Sequence, residues 1–297
     1  MVNILISGYY GFDNIGDESI LRTLVSSLRE HIPDCSLTVL SHNPASTREK
    51  YGVEAVDRMS PMAILRAVKK CDMLISGGGS LLQDVTSSKS LHYYLSIIRC
   101  AEFFHKKVFI YSQGIGPIDR PGNRRAAAAA LKRADGIVVR DERSAALLEE
   151  IGIARDKVVI TADPVIRMKK PDGDVGAEIL RKAGVSLDGR LTVGWAIRER
   201  DTDSRFVKEL LRSIQMMKDK YNAQSVLIPF HYEEDGEVCR HIAAQLPDDT
   251  AVCLNEKYLS EDMLSIIGNM DLLVGVRLHS LIYAAIMGVP LIGISYD

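Results

Sequence analysis

Short apolar runs alternate along this chain with longer stretches whose apolar positions recur at helical spacing. The runs at 2–7 (VNILIS), 36–41 (SLTVLS), 72–76 (DMLIS), 107–112 (KVFIYS), 136–140 (GIVVR), 157–161 (KVVIT), 191–196 (LTVGWA), 224–229 (QSVLIP), 250–254 (TAVCL), 270–274 (MDLLV) and 290–294 (PLIGI) predict strands. Helical periodicity predicts helices over 17–31, 60–70, 88–105, 122–134, 141–151, 174–184, 203–219, 235–245, 260–268 and 279–287. Strand and helix in alternation imply parallel sheets with helices on both faces, an α/β fold. In such folds ligands bind at the loops that leave the carboxyl ends of the strands.

One linker interrupts the pattern. Residues 163–190 contain DPVIRMKKPDGDVG and AGVSLDGR, with Pro164, Pro171 and several glycines, and the next strand starts at Leu191. The chain therefore reads as a Rossmann-like domain over 1–165 and a second over 166–297. Its 297 residues suffice for two cores, since single cores rarely grow past about 250–300 residues. Two such domains facing one cleft make a GT-B-like arrangement. The last strand runs into SYD, so the C-terminal crossing helices that usually close that fold are expected to be missing.

Composition narrows the function classes. The chain is 46% hydrophobic and 26% charged, as in soluble globular proteins. Its net charge is −2, from 37 basic and 39 acidic residues. That balance carries no nucleic-acid signal, so any anion site must be local. The five cysteines (Cys35, Cys71, Cys100, Cys239, Cys253) are odd in number and form no CxxC pair. They read as packing cysteines in a reduced chain, neither a disulfide framework nor a zinc site. The N-terminal MVNILISGYYG lacks the charged start and long apolar core of a signal peptide. No apolar run reaches the roughly 20 residues of a membrane span. A cytoplasmic protein is expected, with membrane contact limited to its surface.

Seven stretches at strand ends carry candidate chemistry. GYYGFDNIGDES (8–19) follows the first strand; Asp17 and Glu18 suit a helix start, where acids favour the dipole. Capping leaves Asp13 and Asn14 unexplained, and both are candidate ligands. In SGGGSLLQD (76–84), Gly77, Gly78 and Gly79 permit close backbone approach, or simply form a tight turn. In YSQGIGP (111–117), Gln113 is either a sugar contact or part of a plain turn. VVRDERSAALLEE (138–150) offers Arg140 and Arg143 as anion ligands or as a salt-bridged face. GWAIRER (194–200) and PFHYEED (229–235) place Arg198, His231 and Asp235 after strands of the second half, along the expected cleft edge; His231 is equally readable as a satisfied loop histidine. Finally, GVRLHSLIYAAIMGVP (275–290) sets Arg277 and His279 in an otherwise apolar strand–helix junction, with Ser280 or His279 as the expected cap. A guanidinium beside a helix N-terminus suits phosphate or carboxylate, and a histidine adds a donor or a proton carrier.

GYYGFDNIGDE, SGGGSLLQD, SQGIGP, RDERSAALLEE and GVRLHSLIYAAIMGVPLIGISYD, in this order along nearly the whole chain, resemble the polysaccharide pyruvyltransferase family, most of all its bacterial CsaB-type members. The resemblance implies a GT-B-like fold, phosphoenolpyruvate as co-substrate with no further cofactor, and a saccharide acceptor. In the CsaB type the acceptor is a lipid-linked, N-acetylmannosamine-containing precursor of a secondary cell-wall polymer. The product is a 4,6-pyruvate ketal recognised by S-layer homology domains.

Ketal formation needs an acid, a base and cations. Phosphoenolpyruvate carries about three negative charges near neutral pH, and the intermediate is cationic at C2. No metal is required, and the sequence offers no metal-ligand cluster. On this basis Arg277 and the helix N-terminus at 279–282 take the donor phosphate or carboxylate, within the Arg277–Leu278–His279–Ser280 turn. His279 is a second anion ligand and general acid. Asp13 is the base for the acceptor hydroxyl, flanked by Asn14 and Asp17. Arg140 or Arg143 assists the donor, with Arg198 and His231 along the same edge. Gly77, Gly78, Gly79 and Gln113 shape the acceptor side. The first domain is then the acceptor side and the second the donor side. Two alternatives stay open: a GT-B nucleotide-sugar glycosyltransferase or epimerase, and a non-catalytic sugar-phosphate-binding module.

Overall fold

The computed structural model describes residues 1–295 apart from Thr86, Asp188, Arg200, Asp201 and Asp203. Its strands pair in parallel into two sheets, and the chain divides into two units. The first unit comprises Met1–Phe12 and Asp17–Arg167. The second comprises Asp13–Gly16 and the chain from Met168 onward.

The first unit carries β1 (Val2–Tyr10), α1 (Ile15–His31), β2 (Cys35–Ser41), α2 (Pro44–Tyr51), β3 (Glu54–Asp57), α3 (Pro61–Lys70), β4 (Met73–Gly77) and α4 (Ser88–Phe103). It continues with β5 (Lys107–Gln113), α5 (Pro121–Leu131), β6 (Gly136–Val139), α6 (Glu142–Glu150) and β7 (Val158–Ile160). Its strand order is β3-β2-β1-β4-β5-β6-β7. The core strands are apolar on both faces: Ile4, Leu5 and Ile6 of β1 are all buried, which requires helices above and below the sheet. The order reverses direction between β1 and β4. The glycine-containing loops after these two strands thus flank a topological switch point, the ordinary ligand position of such a sheet.

The second unit carries α7 (Val175–Lys182), β8 (Thr192–Ala196), α8 (Arg205–Tyr221), β9 (Gln224–Leu227), α9 (Tyr232–Gln245), β10 (Ala251–Cys253), α10 (Ser260–Ile267), β11 (Leu272–Gly275), α11 (Leu278–Met287) and β12 (Leu291–Gly293). Its order is β10-β9-β8-β11-β12, with a switch point between β8 and β11. Trp195 of β8, Ile214 of α8 and Ile242 of α9 help form its core. Among the described residues, no helix is long and apolar enough to cross a membrane.

Two elements depart from the apolar pattern. Helix α2 (PASTREKY) buries only Thr47 and Tyr51, so it has no apolar stripe to announce it. Punctuation makes it instead: Asn43 Oδ1 accepts from Ser46 N, Pro44 opens the first turn, and Gly52 closes it at φ 62°. Strand β3 is a four-residue edge strand, with Ala55 as its buried residue. Four helices also start earlier than the sequence predicts, α5 at Pro121 and α9 at Tyr232 among them. Helix α1 begins at Ile15, not at 17. Helix α11 begins at Leu278 with Arg277 as the N-cap residue, so neither His279 nor Ser280 caps it.

Candidate functional site

In the second unit, the chain leaving β9 runs through buried Ile228, Pro229 and Phe230 to His231, the N-cap of α9. His231 Nδ1 accepts from Glu234 N at 3.2 Å, so the neutral ring carries its proton on Nε2. One turn on, Asp235 is 1% exposed. Its Oδ2 accepts from His231 N at 2.8 Å. A carboxylate this deep needs a counter-charge, and Arg277 supplies it. Arg277 Nε donates to Oδ2 at 3.1 Å and Nη2 donates to Oδ1 at 2.5 Å.

Arg277 stands at the head of α11, immediately beyond β11. Buried Ser280 donates its hydroxyl to Arg277 O at 2.6 Å, tightening the first turn. Leu278 is 46% exposed at the helix start. The opening turn of a helix leaves its first N–H groups without intrahelical partners, so this corner joins a guanidinium to an anion-favouring dipole.

Residues Asp13–Gly16 belong with the same unit. Asn14 pairs with His231 in an isolated antiparallel bridge, and Ile15 N donates to Phe230 O at 3.0 Å. Asn14 Oδ1 accepts from Gly16 N at 3.1 Å, a local side-chain turn. Asp13 adopts φ 55° and pairs through Oδ2 with Lys257 Nζ at 2.7 Å. That hydrogen bond holds the Lys257 ammonium above its usual pKa. Gly16 lies flat against His279: a Cβ there would sit 2.2 Å from the imidazole Nδ1. Asp13, Asn14, His231, Arg277 and His279 are therefore all in one unit. Arg198 follows β8 at the same carboxyl edge and is exposed.

The carboxyl edge of the first unit is built differently. Gly78 and Gly79 take φ of 65° and 70°. A Cβ on Gly78 would lie 2.0 Å from Ile20 Cγ2, and one on Gly79 would lie 2.9 Å from Asp17 Oδ1. The start of α1 thus packs onto bare backbone, and Asp17 borders the glycine loop. Buried Tyr10 donates its hydroxyl to Gly77 O at 2.9 Å; burial pushes that phenol well above its ordinary pKa. Glu18, which the sequence explains as a dipole acid, is buried. It accepts from Gly11 N at 2.8 Å and from the Tyr51 hydroxyl.

Gln113 is 0% exposed. Its Nε2 donates to Ser76 O at 2.8 Å and to Ser76 Oγ at 3.0 Å, fastening β5 to β4. Arg140 donates to Asp163 Oδ2 and to Ser80 Oγ, both at 2.9 Å. Gly114 makes room for it, since a Cβ there would fall 2.7 Å from Nη2. Of the sequence's two readings for Arg140, the salt-bridged one describes this arrangement. Arg143 is exposed in the first turn of α6.

Sequence reasoning missed Arg58. Its guanidinium is buried among Tyr9, Phe12, Tyr93 and Tyr94, with ring centroids 4.6–5.8 Å from Cζ. It donates to Gly8 O at 3.0 Å and to Tyr94 Oη at 3.3 Å. Phe12 also stacks between Tyr9 and His42. The interleaved tyrosines were the available signal. Lys257, from NEKY, had none. Among the described residues no group of three His, Cys, Asp or Glu is placed to hold a metal ion.

A sequence model described as polysaccharide pyruvyl transferase matches residues 14–297. The amylovoran biosynthesis protein AmsJ of Erwinia amylovora is 21% identical over 353 residues, covering 100% of this chain and 84% of that protein. Among solved structures, the chain is similar to Anabaena Alr3699/HepE in complex with UDP-glucose, with TM-score 0.65 and 11% identity over 99% of this chain and 80% of that one. It is also similar to a putative UDP-N-acetylglucosamine 2-epimerase from Listeria monocytogenes, with TM-score 0.67 and 10% identity over 98% and 78%. At such identities the likeness shows the fold alone, an α/β architecture with two parallel sheets.

Proposed function

The chain belongs to the polysaccharide pyruvyl transferase family, and from that premise we propose that it moves the enolpyruvyl group of phosphoenolpyruvate onto a sugar. The acceptor in this reading is the β-N-acetylmannosamine of a lipid-linked cell-wall polymer precursor, met at the inner face of the membrane. The product is a 4,6-pyruvate ketal that serves S-layer anchoring. One sugar hydroxyl adds to C2, losing its proton to the base, while C3 takes a proton from the acid. The C2–O bond to phosphate then breaks and inorganic phosphate leaves. The second hydroxyl adds to the cationic C2 and loses its proton, closing the ring.

The observation that carries this reading, beside the family match, is the Arg277 corner. A guanidinium at a helix N-terminus, with an imidazole two residues on, suits the donor's phosphate or carboxylate. His279 is the second anion ligand and the general acid. Asp13 is the base, held in place by Lys257 Nζ, which donates to its Oδ2 at 2.7 Å. Arg143, Arg198 and His231 are further candidates for donor contacts. Gln113 and Arg140 hold the first unit's loops in shape.

Phosphate release from phosphoenolpyruvate tests the reading. A synthetic lipid-linked N-acetylmannosaminyl disaccharide is expected to support release better than galactose or glucose acceptors. Phosphoenolpyruvate is expected to raise the melting temperature. Protection by UDP-sugars alone would reject the proposal in favour of nucleotide-sugar chemistry.

A further inference from the structure

We infer that Asp235 is a positioning residue for the donor's anionic end, acting through Arg277; this rests on the reading above that Arg277 binds that end. A guanidinium has five N–H donors and can present two forks. The side-on fork is closed here, because Nε and Nη2 both donate to the Asp235 carboxylate. The end-on edge remains, with both hydrogens of Nη1 and the second of Nη2. The Arg277 side chain is 15% exposed and that of Asp235 1%. The closed fork therefore faces the interior, and the open edge is the one a ligand can reach.

Asp235 is itself fixed. Its Oδ2 also accepts from His231 N, the N-cap of α9. One carboxylate thus ties the turn after β9 to the turn after β11. Strand β8 lies between those two strands, so the tie passes over its carboxyl end. The pair is formally neutral. Within it Arg277 offers a ligand two aimed hydrogen bonds rather than a net charge.

Two effects of removing the carboxylate oppose each other. A free arginine has many rotamers, and a ligand that must order it binds more weakly. Yet an unmasked cation attracts an anion more strongly. Positioning and charge therefore predict opposite signs, and measurement separates them.

The test uses the full chain with Asp235→Asn. Phosphoenolpyruvate and, separately, inorganic phosphate are titrated calorimetrically, and kcat and KM are measured at saturating acceptor. Positioning predicts Kd and KM for phosphoenolpyruvate raised about tenfold, since a freed long side chain carries rotamer entropy of that order. It predicts kcat within about threefold of wild type and an unchanged far-UV circular dichroism spectrum. Equal or tighter binding by the variant overturns the inference. If the asparagine variant does not fold, Asp235→Glu, which displaces the carboxylate by one methylene, is expected to raise KM while keeping kcat. An unchanged KM in that variant overturns the inference equally. A wild-type chain that binds neither probe overturns the functional reading and this inference with it. Wild-type binding without a change in the variant overturns the inference alone.

Discussion

The carboxyl edges of the two sheets solve different problems. In the first unit the edge is shaped by missing and buried side chains. Gly78 and Gly79 leave backbone bare beside Ile20 and Asp17, and Gln113 and Arg140 are tied to Ser76, Ser80 and Asp163. In the second unit the edge is shaped by aimed polar groups. Arg277 is locked to Asp235, His279 packs on Gly16, and Asp13 is paired with Lys257. Bare backbone gives form without charge. A locked guanidinium gives direction on a helix dipole. In the function proposed above, the first would serve the saccharide acceptor and the second the donor's anionic end.

The sharpest way to break this contrast is Arg277→Ala. Loss of an aimed cation at developing charge is expected to cost about 10²–10³-fold in kcat/KM with phosphoenolpyruvate. The variant also leaves the Asp235 carboxylate without its counter-charge and is expected to be less stable, so rates are compared at a temperature where circular dichroism shows it folded; wild-type rates there would remove Arg277 from the chemistry. Next comes Gly16→Ala. Its Cβ would collide with the His279 imidazole, and under the role proposed for His279 this displacement is expected to lower kcat at least about tenfold. Steady-state kinetics at saturating phosphoenolpyruvate checks it.

On the first unit the expected damage is to stability. Gly78→Ala forces a side chain into Ile20 at positive φ, which is expected to cost about 2–3 kcal/mol in urea unfolding. The smallest effect is at Lys257. Its folded-state pKa is raised by Asp13, so the ion pair's contribution is fully present below the unfolded lysine pKa and is lost as pH rises through the folded value. The difference in melting temperature between wild type and Lys257→Met is therefore expected to shrink at alkaline pH. A constant difference would mean that the lysine stabilises only by packing on Tyr232, whose ring lies 5.2 Å from Nζ.

The strands were legible because buried parallel strands are written as unbroken apolar runs, VNILIS being the plainest. Helix α2 and strand β3 were not, since a polar helix and a short edge strand bury too little to leave a period. Arg277 and His279 stood out by contrast with their apolar neighbours. The pairing of Arg277 with Asp235 did not, although Asp235 was itself expected at this edge, because it sits 42 positions earlier among Glu233, Glu234 and Glu237 and nothing in the sequence links the two. Gln113 illustrates a second blindness. A polar residue at a strand end looks the same in sequence whether it faces a ligand or fastens the neighbouring strand.

The contact between Gly16 and His279 has a further consequence, for how such a chain can drift. Positions far apart in the gene share one small volume. Any side chain added at 16 demands a smaller ring, or none, at 279. In a library randomised at both positions, survivors with alanine or serine at 16 should carry a shrunken residue at 279. A histidine there should be inherited together with the glycine.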